Sequence, residues 1–115
     1  MITVTFERKE DRVISFTAEG HAGYAEAGSD IVCAAVSAIL ITAANGVVSV
    51  LGIDAPVRQN DEIGFLRLDL PDDLTEEQRR DASLVLAVAQ QGLQSVSEQY
   101  PGCVRVKCRN RRLCT

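Results

Sequence analysis

The sequence predicts an α+β fold in the order β-β-α-β-β-α-β, a mixed sheet with two helices packed on one face. Three observations predict it. Apolar and polar residues alternate in two segments at the start of the chain and again at its end. Two long stretches between them carry the apolar content of helices. Proline and glycine punctuate the boundaries. At 115 residues, 46% of them hydrophobic, the chain fits one compact domain, residues 1–115, with a core of its own.

The first eighteen residues read as two strands. Ile2, Val4 and Phe6 alternate with Thr3, Thr5 and Glu7, and Ile14, Phe16 and Ala18 alternate with Val13, Ser15 and Thr17. The charged run Lys9-Glu10-Asp11-Arg12 makes the hairpin turn between them. From Glu19 to Ser29 the composition shifts to Gly20, Gly23, Gly28 and small residues without apolar periodicity, which is a loop. A helix begins near Ser29 or Asp30, either of which can cap its first turn, and runs to about Leu51.

Pro56 to Asn60 forms a short strand, and Ile63 to Leu70 a clearer one with Leu66, Leu68 and Leu70 on one face. Pro71 closes it. After Leu74, Thr75 and Gln78 make a capping box for a second helix that carries Ala82, Leu86, Ala89, Leu93 and Val96 at helical spacing. Pro101-Gly102 stops that helix. The last strand, Cys103 to Arg109, puts Val104, Val106 and Cys108 inward and Arg105 and Lys107 outward. Because the first helix is apolar nearly all round, packing it on a sheet leaves apolar surface for another subunit to bury, and a homodimer is expected.

Charge and cysteine usage narrow the function classes. Twelve Lys and Arg against 16 Asp and Glu give a net charge of -4, which argues against a general nucleic-acid binder, and no direct nucleic-acid contact is expected. The late cluster Arg105, Lys107, Arg109, Arg111 and Arg112 reads as a solvated strand edge and tail. The segment Ile31 to Ile53 is uncharged and long enough to cross a bilayer. It is rich in Ala, Ser, Thr and Gly and flanked by Asp30 and Asp54 rather than by cations, so no membrane span is expected. Cys33, Cys103, Cys108 and Cys114 follow no secretory-type leader, which makes a reducing, cytoplasmic location the default. Their spacing, with a single histidine in the chain, matches no common zinc pattern, so neither a metal nor another cofactor is expected.

The segment that carries chemistry runs from Gly20 to Ser37. It sets the only histidine, His21, at the mouth of the glycine-rich loop and Cys33 in the first turn of the following helix. Amides and dipole at a helix start can stabilise a thiolate and hold the oxyanion of a tetrahedral intermediate. An imidazole brought back by the loop can take the thiol proton and return it to a leaving amine. Taken alone, this spacing equally describes a small core cysteine and a solvated histidine. Asp30 can orient His21 as a third catalytic member or simply cap the helix, and its residue type and position favour the cap. Ser37, one turn beyond Cys33, either supports the site or bonds back to a helix carbonyl. Gly20, Gly23 and Gly28 suggest a lid that closes over a bound peptide, with Tyr24 inside it.

This segment closely resembles the signature of the bacterial ribosomal-processing cysteine protease family, Prp, written G-H-A-x-x-x-x-x-G-x-D-I-x-C-A-A-x-S. Its fixed positions are filled by Gly20, His21, Ala22, Gly28, Asp30, Ile31, Cys33, Ala34, Ala35 and Ser37. The resemblance implies a homodimeric cytosolic endopeptidase of the α+β type, with His21 and Cys33 as the catalytic dyad. It also implies the substrate: the short N-terminal extension of bacterial large-subunit ribosomal protein number twenty-seven, removed after a pair of phenylalanines. Two other readings compete with it. One is a non-catalytic ribosome-associated module of the same fold that only holds a peptide; the other is a thiol redox protein built on Cys33.

Overall fold

The computed structural model describes residues 1–23 and 30–111, and there the α+β order expected from the sequence is borne out. The alternating segments become β1 (Ile2–Lys9) and β2 (Arg12–Glu19). Their turn is only Glu10-Asp11, and Glu10 takes the left-handed φ of 59° that such a short connection demands. A bulge interrupts the ladder: Glu7 faces Ser15 but Arg8 faces Val13, which leaves Ile14 as the extra residue. Simple alternation put Ile14 inward and Val13 outward, whereas the bulge brings Val13 into the core cluster while Ile14 is also buried.

Asp30 caps α1 (Ile31–Asn45), and the helix continues through one π-helical turn, Gly46–Val50. The whole stretch Ile31–Val50 is long and apolar enough to cross a membrane. In the fold, however, one stripe of it, Val32, Val36, Leu40, Ala43 and Val47, is packed into the core. β3 (Val57–Asn60) and β4 (Phe65–Asp69) form a second hairpin. The expected strand from Ile63 starts two residues later, because Gly64, at φ 63°, belongs to the turn. α2 (Glu76–Gln99) opens on the capping box: the Gln78 amide donates to Thr75 Oγ1 at 3.1 Å, and the Thr75 amide to Gln78 Oε1 at 2.9 Å. β5 (Val104–Asn110) is the last element of the described residues.

The sheet order is β3-β4-β2-β1-β5. β5 runs parallel to β1, with Ile2 opposite Val104, while the other neighbours are antiparallel, so the sheet is mixed. Val4, Phe6, Phe16 and Leu68 on its inner face are fully buried, as are Val32 from α1 and Ala82, Leu86 and Leu93 from α2. Burying each large side chain of this set contributes about 2 kcal/mol. Cys108, expected inside, is exposed. β5 is a sheet edge, and burial fades along it from Val104 through Val106 to Cys108.

The outer sheet face is polar and tied by charge. Glu7 accepts from Arg111 Nε at 3.1 Å and from Ser15 at 3.3 Å, and Arg67 clasps Asp69 through two nitrogens at 2.8 and 2.9 Å. Arg67 also donates to Thr17 Oγ1 at 2.7 Å. The Arg111 hydrogen bond holds the Glu7 carboxyl below the usual carboxylate range, against the opposing effect of burial. Part of the late basic cluster is thereby spent on joining β1, β2 and β4.

Candidate active site

The site grows out of the exit from β2. Gly20 turns the chain at φ 97°, and a Cβ there would stand 2.5 Å from the carbonyl oxygen of Met1, so only glycine fits. His21 follows, exposed, with Nε2 3.4 Å from the carbonyl oxygen of Glu62 in the β3–β4 turn. Ala22 is buried, and its amide donates to Cys33 Sγ at 3.2 Å. The residue next to the histidine therefore holds the sulfur.

His21 and Cys33 line one cavity of about 140 Å3, together with Gly20 and Ser37. That volume is close to cavities of roughly 150 Å3 that take a benzene ring. Its walls are largely apolar: Ile2, Val36, Leu40, Phe65 and Leu66. Gln59 and Asp61 supply a polar rim, with Gln59 Nε2 donating to Asp61 Oδ1 at 2.7 Å. One aromatic or aliphatic side chain of a peptide could enter it beside the sulfur.

Burial pushes the Cys33 thiol above its ordinary value; the Ala22 hydrogen bond opposes this, and the negative charge of Asp30 reinforces it. The sequence reading had the helix start stabilising a thiolate through free amides. Instead Asp30 Oδ1 accepts from the amides of both Val32 and Cys33 at 3.0 Å. The cap takes the donors, and the donor at the sulfur comes from Ala22. Burial and the Asp30 charge thus favour the protonated thiol over the thiolate.

Ser37 is exposed and lines the cavity; among the described residues its hydroxyl makes no hydrogen bond, so it is not bonded back to the helix. Gly23 adopts φ 70° with open space around it. Gly28, Tyr24 and Cys114 lie outside the described residues, as does most of the proposed lid. Cys103 is partly buried against the core. Sequence reasoning placed both strands of the β3–β4 hairpin but not their part in the site, to which the hairpin supplies Gln59, Asp61, Gly64, Phe65 and Leu66. Only the left-handed glycine in its turn was a usable signal.

Residues 1–105 match the family described as Cysteine protease Prp. The Ribosomal processing cysteine protease Prp of Bacillus subtilis (strain 168) is 32% identical over 107 residues, covering 92% of this chain and 96% of that protein. The crystal structure of an essential ribosomal processing protease Prp from S. aureus, in complex with a covalently linked product peptide, superposes with a TM-score of 0.82 at 28% identity. The match covers 94% of this chain and 99% of that one. The same S. aureus protease in complex with a substrate peptide gives a TM-score of 0.78 at 28% identity, again over 94% and 99% of the two chains.

Proposed function

The chain belongs to the Prp family of cysteine proteases, and from that premise we propose that it is a ribosomal-processing endopeptidase acting through Cys33 and His21. Its substrate in this reading is the N-terminal extension of bacterial large-subunit ribosomal protein number twenty-seven, cut after two phenylalanines. The observation that carries the reading is the shared cavity: thiol and imidazole line one largely apolar hollow that suits a single aromatic side chain. The similarity to the ribosomal-processing proteases of Bacillus subtilis and S. aureus supports the ribosomal assignment.

The chemistry follows from the groups present. His21 takes the Cys33 proton as the sulfur attacks the scissile carbonyl, and it gives that proton to the leaving amine, forming a thioester and releasing the downstream peptide. Water, deprotonated by the same ring, then hydrolyses the thioester and regenerates the thiol. Burial raises the cost of a free thiolate, so proton transfer to His21 accompanies attack. The dyad needs no metal, cofactor or nucleic acid. Gly20, Gly23 and Gly28 would let the loop close over the peptide once it is seated.

Homodimerisation belongs to the same proposal. An apolar groove of about 720 Å3 lies between α1 and α2, flanked by Leu84 and Val88, each 64% exposed. A second copy would cover it. Sedimentation of the wild type as a dimer, and of Val88→Arg as a monomer, supports that surface; a monomeric wild type contradicts it. A cytoplasmic location follows from the substrate.

The deciding experiment incubates the protein with the extended ribosomal protein and reads the products by mass. Cleavage after the second phenylalanine is expected, with Cys33→Ala slower by at least about a thousandfold and His21→Ala by about a hundredfold or more. Undiminished turnover by Cys33→Ala would refute the assignment.

A further inference from the structure

We propose that the β3–β4 turn is the orienting element of the site: the Glu62 carbonyl fixes the His21 ring with its hydrogen on Nε2, and Gly64 is the residue that lets this turn come close enough. The inference deepens the reading of His21 and Cys33 as the dyad and rests on it. Gly64 is a positioning residue, acting only through His21.

Two independent contacts lock the turn to the histidine segment. The Gly20 amide donates to the Gly64 carbonyl at 2.9 Å, and Nε2 of His21 lies 3.4 Å from the Glu62 carbonyl oxygen. A carbonyl oxygen only accepts, so Nε2 must carry the hydrogen when the ring is neutral. Nδ1 then holds the free lone pair and is the nitrogen able to take a proton from Cys33. The Nε2 contact is long, as such bonds often are before substrate tightens a site. Asp30, the side chain sequence reasoning offered as a third member, commits Oδ1 to the amides of Val32 and Cys33.

Gly64 makes the approach possible. It sits at φ 63°, and a Cβ there would overlap the Gly20 carbonyl oxygen and come within 3.1 Å of His21 Cε1. The atoms it would displace are backbone and the catalytic ring itself, not the yielding end of a surface side chain. Gly102 offers a matched control, because it also sits at positive φ, 83°, with nothing within 4 Å of an added Cβ. Alanine at either position bears left-handed strain, but only alanine at 64 meets the histidine.

The test compares Gly64→Ala with Gly102→Ala on the peptide substrate, with thermal unfolding confirming that both are folded. Gly64→Ala should lower kcat at least tenfold with KM within about threefold, since a displacement near 1 Å can cost a hundredfold. Gly102→Ala should change neither. Wild-type kcat in Gly64→Ala, a loss confined to KM, or an equal loss in both variants overturns the proposal. Should Gly64→Ala fail to fold, nitrogen-15 NMR of the single histidine in the wild type decides. A neutral ring protonated on Nε2 is expected, and one protonated on Nδ1 overturns the inference. His21→Ala at wild-type turnover would instead sink the dyad reading, whichever tautomer the ring adopts.

Discussion

Replacing Asp30 by alanine removes two effects that the structure separates. The carboxylate oxygen caps two amides at 3.0 Å, and losing an N-cap of this type costs about 1 kcal/mol, up to about 2. For a domain of this size that lowers Tm by about 4 °C per kcal/mol. The same substitution deletes the negative charge that reinforces burial in holding the Cys33 thiol up, and frees two amide donors near the sulfur. Both changes favour the thiolate, so the thiol pKa must fall. Asp30→Asn keeps an acceptor for the amides while removing the charge. It should therefore retain most of the stability and still move the thiol in the same direction. The assay is the rate of Cys33 alkylation by iodoacetamide against pH, resolved from the other cysteines by peptide mass spectrometry. An acid shift of the profile in both variants, with a Tm loss mainly in alanine, is expected. An alkaline shift in Asp30→Ala would refute the electrostatic reasoning, and an unchanged profile would show that the carboxylate does not act on the sulfur.

Other consequences can be checked in the same protein. Glu7→Gln breaks the buried ion cluster with Arg111 and Arg67 and should cost about 2 kcal/mol at pH 7 in urea unfolding. Glu7 is depressed in the folded state, so its contribution is present above the ordinary carboxylate range and is lost as pH falls through its lowered value. The gap between wild type and variant should therefore close on acidification, and a gap that widened would contradict the assignment. Leu86, fully buried beneath the sheet, should cost about 3 kcal/mol when cut to alanine, read from the urea midpoint. Thr75→Ala removes half of the capping box and should cost about 1 kcal/mol. Peptide turnover should not change, and a loss of kcat would reveal coupling from the start of α2 to the cavity.

Periodicity carried most of the architecture. Alternation at Ile2, Val4 and Phe6 and the Thr75/Gln78 box are local signals, and tertiary packing had no reason to overrule them. What alternation cannot report is a change of phase. The bulge between Glu7 and Arg8 buried Val13 as well as Ile14, and the edge position of β5 left Cys108 in water. Strand order was equally silent, because nothing in Val104–Asn110 distinguishes a parallel partner from an antiparallel one. In the site, residue types drew attention to His21, Cys33 and Asp30, and the structure gathers the first two around one cavity. The groups that hold them, the Ala22 amide and the Glu62 carbonyl, are backbone atoms and leave no mark in residue identity.

Trapping the covalent intermediate tests the account most directly. Rapid acid quench of the enzyme with excess extended substrate, followed by peptide mapping, should find the upstream fragment attached as a thioester to Cys33 in the wild type and absent in Cys33→Ala. Cleavage proceeding with no adduct on Cys33, or with the adduct on Cys103, Cys108 or Cys114, would contradict it.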